Sequence, residues 1–332
     1  MDSEDDDLFS TPEAANVSSA LLFNVLDLCS EPMGFDAKTD FASFVQGAPQ
    51  HIHLVGKPIG DDGLQRLTSA LAQAGNGERD IKSIDLESTG ITDLGLQTLA
   101  DAIADGALGE NLEVLSLLDN SIGIAGILHM TRLLSGGLSR LHNLGTCNFN
   151  KCDMGDDGLV ALGTAIQIGA LRHLRKLFMS GCGYGDNGLI GFSHVLGNAH
   201  NLLPELYELW LSNNHVGDSG SAAFFEALGG GAMSNLGDLR LQFNTCGDRS
   251  IDALVLASAK GALSRLWYLG LNDNVFTDAG LRTLRCLIAS GALPRLEFMT
   301  ASSDSSSTEV QQSVQDTLTR RPKLLASCVK VG

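Results

Sequence analysis

The sequence predicts an α/β solenoid built from repeated strand–turn–helix units, and three observations carry that reading. A nine-copy repeat, with starts at residues 49, 81, 112, 144, 174, 206, 236, 266 and 296, recurs every 30–32 residues. Its copies open on apolar residues that alternate and close on apolar residues at helical spacing. The 332 residues include 38 Gly and only 7 Pro without a collagen period, as a regular turn used many times requires.

The unit is plainest in the sixth copy, where Leu206, Leu209, Leu211, Asn214, Val216, Gly217, Asp218 and Gly220 read L-x-x-L-x-L-x-x-N-x-V-G-D-x-G. Leu266, Leu269, Leu271, Asn274, Phe276, Asp278 and Gly280 repeat it. The period-two leucines predict a short strand buried on one face. Position nine is Asn in four copies (Asn120, Asn214, Asn244, Asn274) and Cys in two (Cys152, Cys182). A buried side chain there must satisfy turn backbone groups, which Asn does as donor and acceptor and Cys does weakly. Asp at position thirteen (Asp61, Asp93, Asp156, Asp186, Asp218, Asp248, Asp278) reads as the N-cap of the helix it opens. Gly follows two residues later in most copies, with Ser250 as an exception. The second half, as in Leu96, Leu99 and Ile103, is helical in period. One unit cannot bury its own apolar side, but stacked units share a core.

This pattern resembles the leucine-rich repeat superfamily, of the ribonuclease-inhibitor-like type. The resemblance implies a horseshoe with a concave parallel sheet and convex helices. The extra length of each unit falls in helix-to-strand linkers such as Gly75-Asn76-Gly77 and His200-Asn201.

The expected organisation is a disordered acidic head at 1–10, a helical N-terminal cap at 11–48, the repeats at 49–301 and a C-terminal cap at 302–332. Thr11-Pro12-Glu13 reads as the start of the first cap helix, with Leu21, Leu22, Val25 and Leu26 inward. Val310, Val314 and Leu318 mark a closing helix ahead of Pro322, in a tail that carries Arg320, Arg321, Lys323 and Lys330.

Composition narrows the function. With 22 Lys+Arg against 39 Asp+Glu the net charge is −17, which repels a phosphate backbone and anionic lipid, so neither nucleic acid nor membrane is an expected partner. The acidic start Met1-Asp2-Ser3-Glu4-Asp5-Asp6-Asp7 is unlike a secretory or mitochondrial signal. Seven scattered Cys without a C-x-x-C pair suggest reduced thiols and a cytoplasmic setting. The sequon Asn16-Val17-Ser18 is then without consequence.

Gly183-Tyr184-Gly185-Asp186-Asn187-Gly188 matches G-x-G-x-x-G, but Gly185 and Gly188 are ordinary repeat positions shared with Gly155 and Gly158. No P-loop or nucleophile elbow occurs. His51 and His53 share a strand face but lack a completing ligand in their repeat. No cofactor, metal, catalytic residue or small-molecule substrate is expected.

Solvent-facing strand residues are the informative ones. Asp85, Glu87, Asp119, Lys151 and Lys176 are polar, whereas Phe178, Trp210 and Arg240 occupy position five of copies five to seven. Phe243 falls at position eight of copy seven and Tyr268 at position three of copy eight. Only 5% of the chain is aromatic, so this cluster at outward positions marks the expected partner-binding surface. The leading reading is a non-enzymatic scaffold holding a protein partner on its concave face. One alternative is a Ran-type GTPase activator, a similar repeat array that uses an arginine in an enlarged early turn. The matching turns, from Lys57–Gly63 to Cys152–Gly158, contain no Arg and are not enlarged. Another is a structural component of a cytoskeletal or ciliary assembly.

Overall fold

The computed structural model describes residues 41–42, 49–73, 81–108, 110–135, 141–169, 171–197 and 201–328, all within the unit Phe35–Gly332. The expected acidic head, most of the 11–48 cap, the sequon, Gly75-Asn76-Gly77, His200 and Lys330 lie outside the described residues. Nine strands form one parallel sheet in chain order: β1 His51–His53, β2 Ser83–Asp85, β3 Val114–Ser116, β4 Thr146–Asn148, β5 Lys176–Phe178, β6 Glu208–Trp210, β7 Asp238–Arg240, β8 Tyr268–Gly270 and β9 Phe298–Thr300. A helix follows each strand: α1 Gly60–Gln73, α2 Asp93–Ala104, α3 Ile124–Ser135, α4 Gly155–Gln167, α5 Asp186–Gly197, α6 Asp218–Gly229, α7 Asp248–Ala259, α8 Asp278–Ser290 and α9 Thr308–Cys328.

Each strand's central residue pairs in register with its neighbours, giving the column Ile52, Ile84, Leu115, Cys147, Leu177, Leu209, Leu239, Leu269 and Met299. All nine are buried in one continuous core with the helices' apolar faces, such as Leu64, Leu67 and Leu71 of α1. Burying one such leucine contributes about 1.5–3 kcal/mol. Phe41 joins the same core. At the far end Val310 and Val314 of α9 are buried against it. That helix continues through Pro322 to Cys328 rather than stopping ahead of it; Pro removes one backbone donor there.

Two columns of polar side chains join one repeat to the next. The position-nine Asn reaches back. Asn214 donates to the carbonyls of Met179 and Leu211 at 3.0 and 3.1 Å and accepts from the Cys182 N–H at 2.9 Å. Asn244 and Asn274 do the same for the preceding turns, accepting from the N–H groups of Val216 and Cys246 at 3.0 and 2.9 Å. Where Cys stands instead its thiol donates to the preceding repeat, Cys152 to the Leu117 carbonyl at 3.3 Å and Cys182 to that of Phe149 at 3.0 Å.

The position-thirteen Asp reaches forward, which corrects the expectation that it caps its own helix. Asp186 accepts from the N–H groups of Gly217 and Gly220 at 2.7 and 2.8 Å, and so caps α6 rather than α5. Asp61 accepts from Thr92, Asp93 from Gly123, Asp156 from Gly185, and Asp248 from Thr277. The last, Asp278, receives Ser307 N–H at 2.7 Å at the start of α9, a bond that holds its carboxyl below the usual range. Asp lies at the first turn of its own helix, but its side chain sits over the adjacent N-terminus, where free N–H groups and the macrodipole favour an anion.

The glycine two positions later follows from this bridge. A Cβ on Gly188 or Gly220 would lie 2.7 Å from the preceding Asp carboxylate oxygen. Ser250, the exception, turns the contact to use, donating its hydroxyl to Asp218 at 2.8 Å and its N–H at 3.0 Å. The third copy has Ile124 at position thirteen, so this column offers the fourth no carboxylate. There Gly155 takes a left-handed φ of 60° and sends its N–H to the Cys182 carbonyl of the next repeat at 2.9 Å.

Two outcomes follow. Asp186→Ala should lower stability by about 1–2 kcal/mol, the range of a lost N-cap, whereas Asp157→Ala, at an exposed neighbour, should change it by less than about 0.5 kcal/mol; urea midpoints of the two variants check this. Cys147, Cys182 and Cys246 are buried free thiols pushed up to about 12, and burial raises Cys152 further, while Cys286 is exposed. Iodoacetamide labelling at neutral pH should therefore modify Cys286 and leave these four unmodified until denaturant is added, as read by peptide mass spectrometry.

Candidate functional site

The register places Phe178, Trp210 and Arg240 opposite one another on adjacent strands, on the face of the sheet turned away from the helices. The three form a stack rather than three separate exposed side chains. The rings of Phe178 and Trp210 lie 4.3 Å apart, tilted by 53°. The Arg240 guanidinium sits 4.1 Å over the Trp210 ring and 4.8 Å from the Tyr268 ring. Phe178, expected to meet solvent, is only 1% exposed, because the larger Trp210 ring packs against it. It is the floor of the stack rather than its surface.

Arg240 is held from below by Asp238, itself 1% exposed. Nε donates to the carboxylate at 3.1 Å and Nη2 at 2.9 Å. This two-point grip fixes the plane of the guanidinium and neutralises it, so Arg240 acts as a flat, rigid stacking surface between two aromatic rings. Beside it Lys176 and Glu208 pair at 3.1 Å. The Trp210 Nε1–H is buried with no acceptor among the described residues; leaving such a donor unmade costs about 1–3 kcal/mol.

Phe243 stands apart, 51% exposed, with a left-handed φ of 55°. Position eight is left-handed in sister copies too, where Gly56, Ser88, Asp119, Lys151, Gly181, Asn213 and Asp273 occupy it. Small or polar residues tolerate that conformation, whereas a bulky aromatic is strained there. A half-exposed ring that strains its own backbone is unexplained by packing alone.

At the other end of the sheet the polar residues satisfy one another. His51 Nδ1 lies 2.7 Å from Ser83 Oγ, and His53 Nδ1 lies 3.2 Å from Asp85 Oδ2. Asp85, expected to face solvent, is 2% exposed; it also accepts from the Glu87 N–H at 3.2 Å. The Asp85 hydrogen bond raises the His53 pKa, and burial with the nearby Asp85 and Asp119 charges raises that of Glu87. Among the described residues no three His, Cys, Asp or Glu side chains are grouped to hold a metal. No described helix is long and apolar enough to cross a membrane.

Three further aromatics extend the cluster and escape a reading limited to positions three, five, seven and eight of the first eight copies. Trp267 makes edge contacts with Tyr268 and Phe298, at 5.9 and 6.0 Å between centroids. Tyr207 and Phe298 are 40% and 57% exposed. Tyr207 and Trp267 both occupy position two, which the repeat pattern leaves open, and that shared column is the signal that could have found them.

A family model described as leucine-rich repeat matches residues 79–100, the segment running through β2 into α2. With nine such units in register, the fold is a leucine-rich repeat α/β solenoid. No curated protein matches the sequence at a significant level. Among solved structures the chain is similar to leiomodin-1 actin-binding site 2, at 14% identity over 63% of this chain and 98% of that one, with a TM-score of 0.34. It is similar to an internalin from Listeria monocytogenes at 16% identity, over 87% and 97% of the two chains, with a TM-score of 0.31. A plant peptide hormone receptor in complex with RGF2 matches at 16% identity over 69% of this chain and 32% of the receptor, with a TM-score of 0.37. Likenesses at this level bear on neither partner nor activity.

Phe243→Asn should raise stability by about 1 kcal/mol, because Asn tolerates the left-handed backbone and the ring it replaces is half in solvent. The denaturation midpoint tests this; a variant no more stable than the parent would mean that the ring's packing outweighs its strain.

Proposed function

We propose that this chain is a non-enzymatic leucine-rich repeat scaffold, of the ribonuclease-inhibitor-like type, that holds a protein partner on the open face of its sheet in a cytoplasmic setting. The contact centres on Trp210, Arg240, Phe243 and Tyr268, with Phe178 as the support beneath Trp210. The observation that carries this reading is the stack itself. A guanidinium is fixed between two aromatic rings by a buried carboxylate, on a face where the neighbouring polar residues pair with one another. Trp, Tyr and Arg dominate interface hot spots, and side chains ordered before binding lose less entropy when a partner arrives. The strained Phe243 at the edge of the stack fits the same purpose, since binding can offset a local strain that folding alone does not.

The test uses partners captured with the wild-type chain and then measured individually. Trp210→Ala should weaken the principal one by at least about 2 kcal/mol. A smaller loss of thermal stability is expected, from the uncovered Phe178 ring. Affinity that holds while the melting temperature collapses would make Trp210 a structural support only. If neither changes, the partner binds elsewhere.

A further inference from the structure

Beside the stack, an open groove of about 1240 Å³ runs along the starts of β8 and β9. Its aromatic lining comes from Tyr207, Trp267, Tyr268 and Phe298. The rings of Tyr207 and Trp267 close over Gly237, where an added Cβ would meet them at 2.6 and 3.0 Å. The glycine therefore permits two large aromatics to share one strip of sheet, two strands apart. That wall is preformed.

Charge selects what the wall can receive. Arg265 and Arg295, the residues just before β8 and β9 begin their repeats, both line the groove and are exposed. Neither makes an ion pair among the described residues, whereas Arg175, Arg240, Arg282 and Arg320 all do. One acid, Glu297, shares the lining, so the two guanidinium groups leave a local positive excess in a chain of net charge −17. The surrounding negative field disfavours nucleic acid and anionic lipid over any long contact, but a short segment reaches the two arginines without crossing it. Four strands, from Tyr207 to Phe298, span about 14 Å at 4.8 Å spacing, the reach of roughly four extended residues.

We propose that this groove binds a short acidic segment of a protein partner, with a large apolar or aromatic side chain against Trp267 and Phe298 and flanking Asp or Glu carboxylates on Arg265 and Arg295. The guanidinium fork suits a planar carboxylate, and the aromatic wall suits an apolar anchor. This deepens the open-face reading above and rests on it for the class of partner. It differs in placing the charge recognition at Arg265 and Arg295, since Arg240 is already neutralised by Asp238.

A phage-displayed library of random twelve-residue peptides, selected on the full chain, tests it. The strongest synthetic peptide is then measured by fluorescence anisotropy against the wild type, the double variant Arg265→Ser with Arg295→Ser, and Trp210→Ala, with matched melting curves as the folding control. The expected peptides carry Asp or Glu within two residues of Phe, Tyr, Trp or Leu. Their binding should weaken at least ~10-fold in the double variant and on raising salt. Neutral or basic winners, no enrichment at all, or equal binding by the double variant overturns the proposal. A peptide lost with Trp210→Ala but indifferent to the double variant would sustain the open-face reading and overturn this one. A peptide lost only in the double variant would support the groove and count against Trp210.

Discussion

The constraint on which the rest of this structure depends is that a turn buried between stacked repeats has backbone donors no water can reach. Such groups must be paired within the protein, and a tight turn cannot pair all of its own. Here the pairing comes from the neighbouring repeats. Asn214 reaches back to the Cys182 N–H, and Asp186 reaches forward to the N–H groups of Gly217 and Gly220. At such a junction the repeats are joined in both directions by side chains, in addition to strand pairing and apolar contact. No unit is complete without its neighbours.

The choice of small residues follows from the same constraint. Gly at position fifteen leaves room for the incoming carboxylate, and Ser250 is accepted because it donates to Asp218. Where Ile124 interrupts the acidic column, the backbone compensates through a left-handed Gly155. Holding the sheet by its turns also frees the opposite face. Its position-five and position-three side chains can then be chosen for one another, as in the Asp238–Arg240–Trp210–Tyr268 arrangement.

What is local or periodic was legible from the residues, and what depends on a neighbour some thirty residues away was less so. The nine strands, their register and the Asn and Cys column follow from alternation and spacing. The Asp column reads as a cap from sequence, but of its own helix rather than the next, because a carboxylate two atoms from its own backbone looks local until the next turn is seen beside it. The row Phe178, Trp210, Arg240 follows from the period. That Trp210 would cover Phe178, and that Asp238 would grip Arg240, depends on side-chain size and direction, which the period does not carry. Tyr207 and Trp267 fall at position two, which the repeat pattern leaves open, and Phe298 falls in the ninth copy, so positions three, five, seven and eight of the first eight copies include none of the three.

The central claim is that side chains of adjacent repeats close the turns, leaving the open face available for recognition. Native-state hydrogen exchange tests it most directly, at the amides of Cys182, Val216 and Cys246, which lie in turns and bond to Asn214, Asn244 and Asn274 of the following repeat. The account predicts that these turn amides exchange as slowly as those of the adjoining strands, through the same cooperative opening. Exchange at the rate of an exposed loop, with the strands still protected, would contradict it.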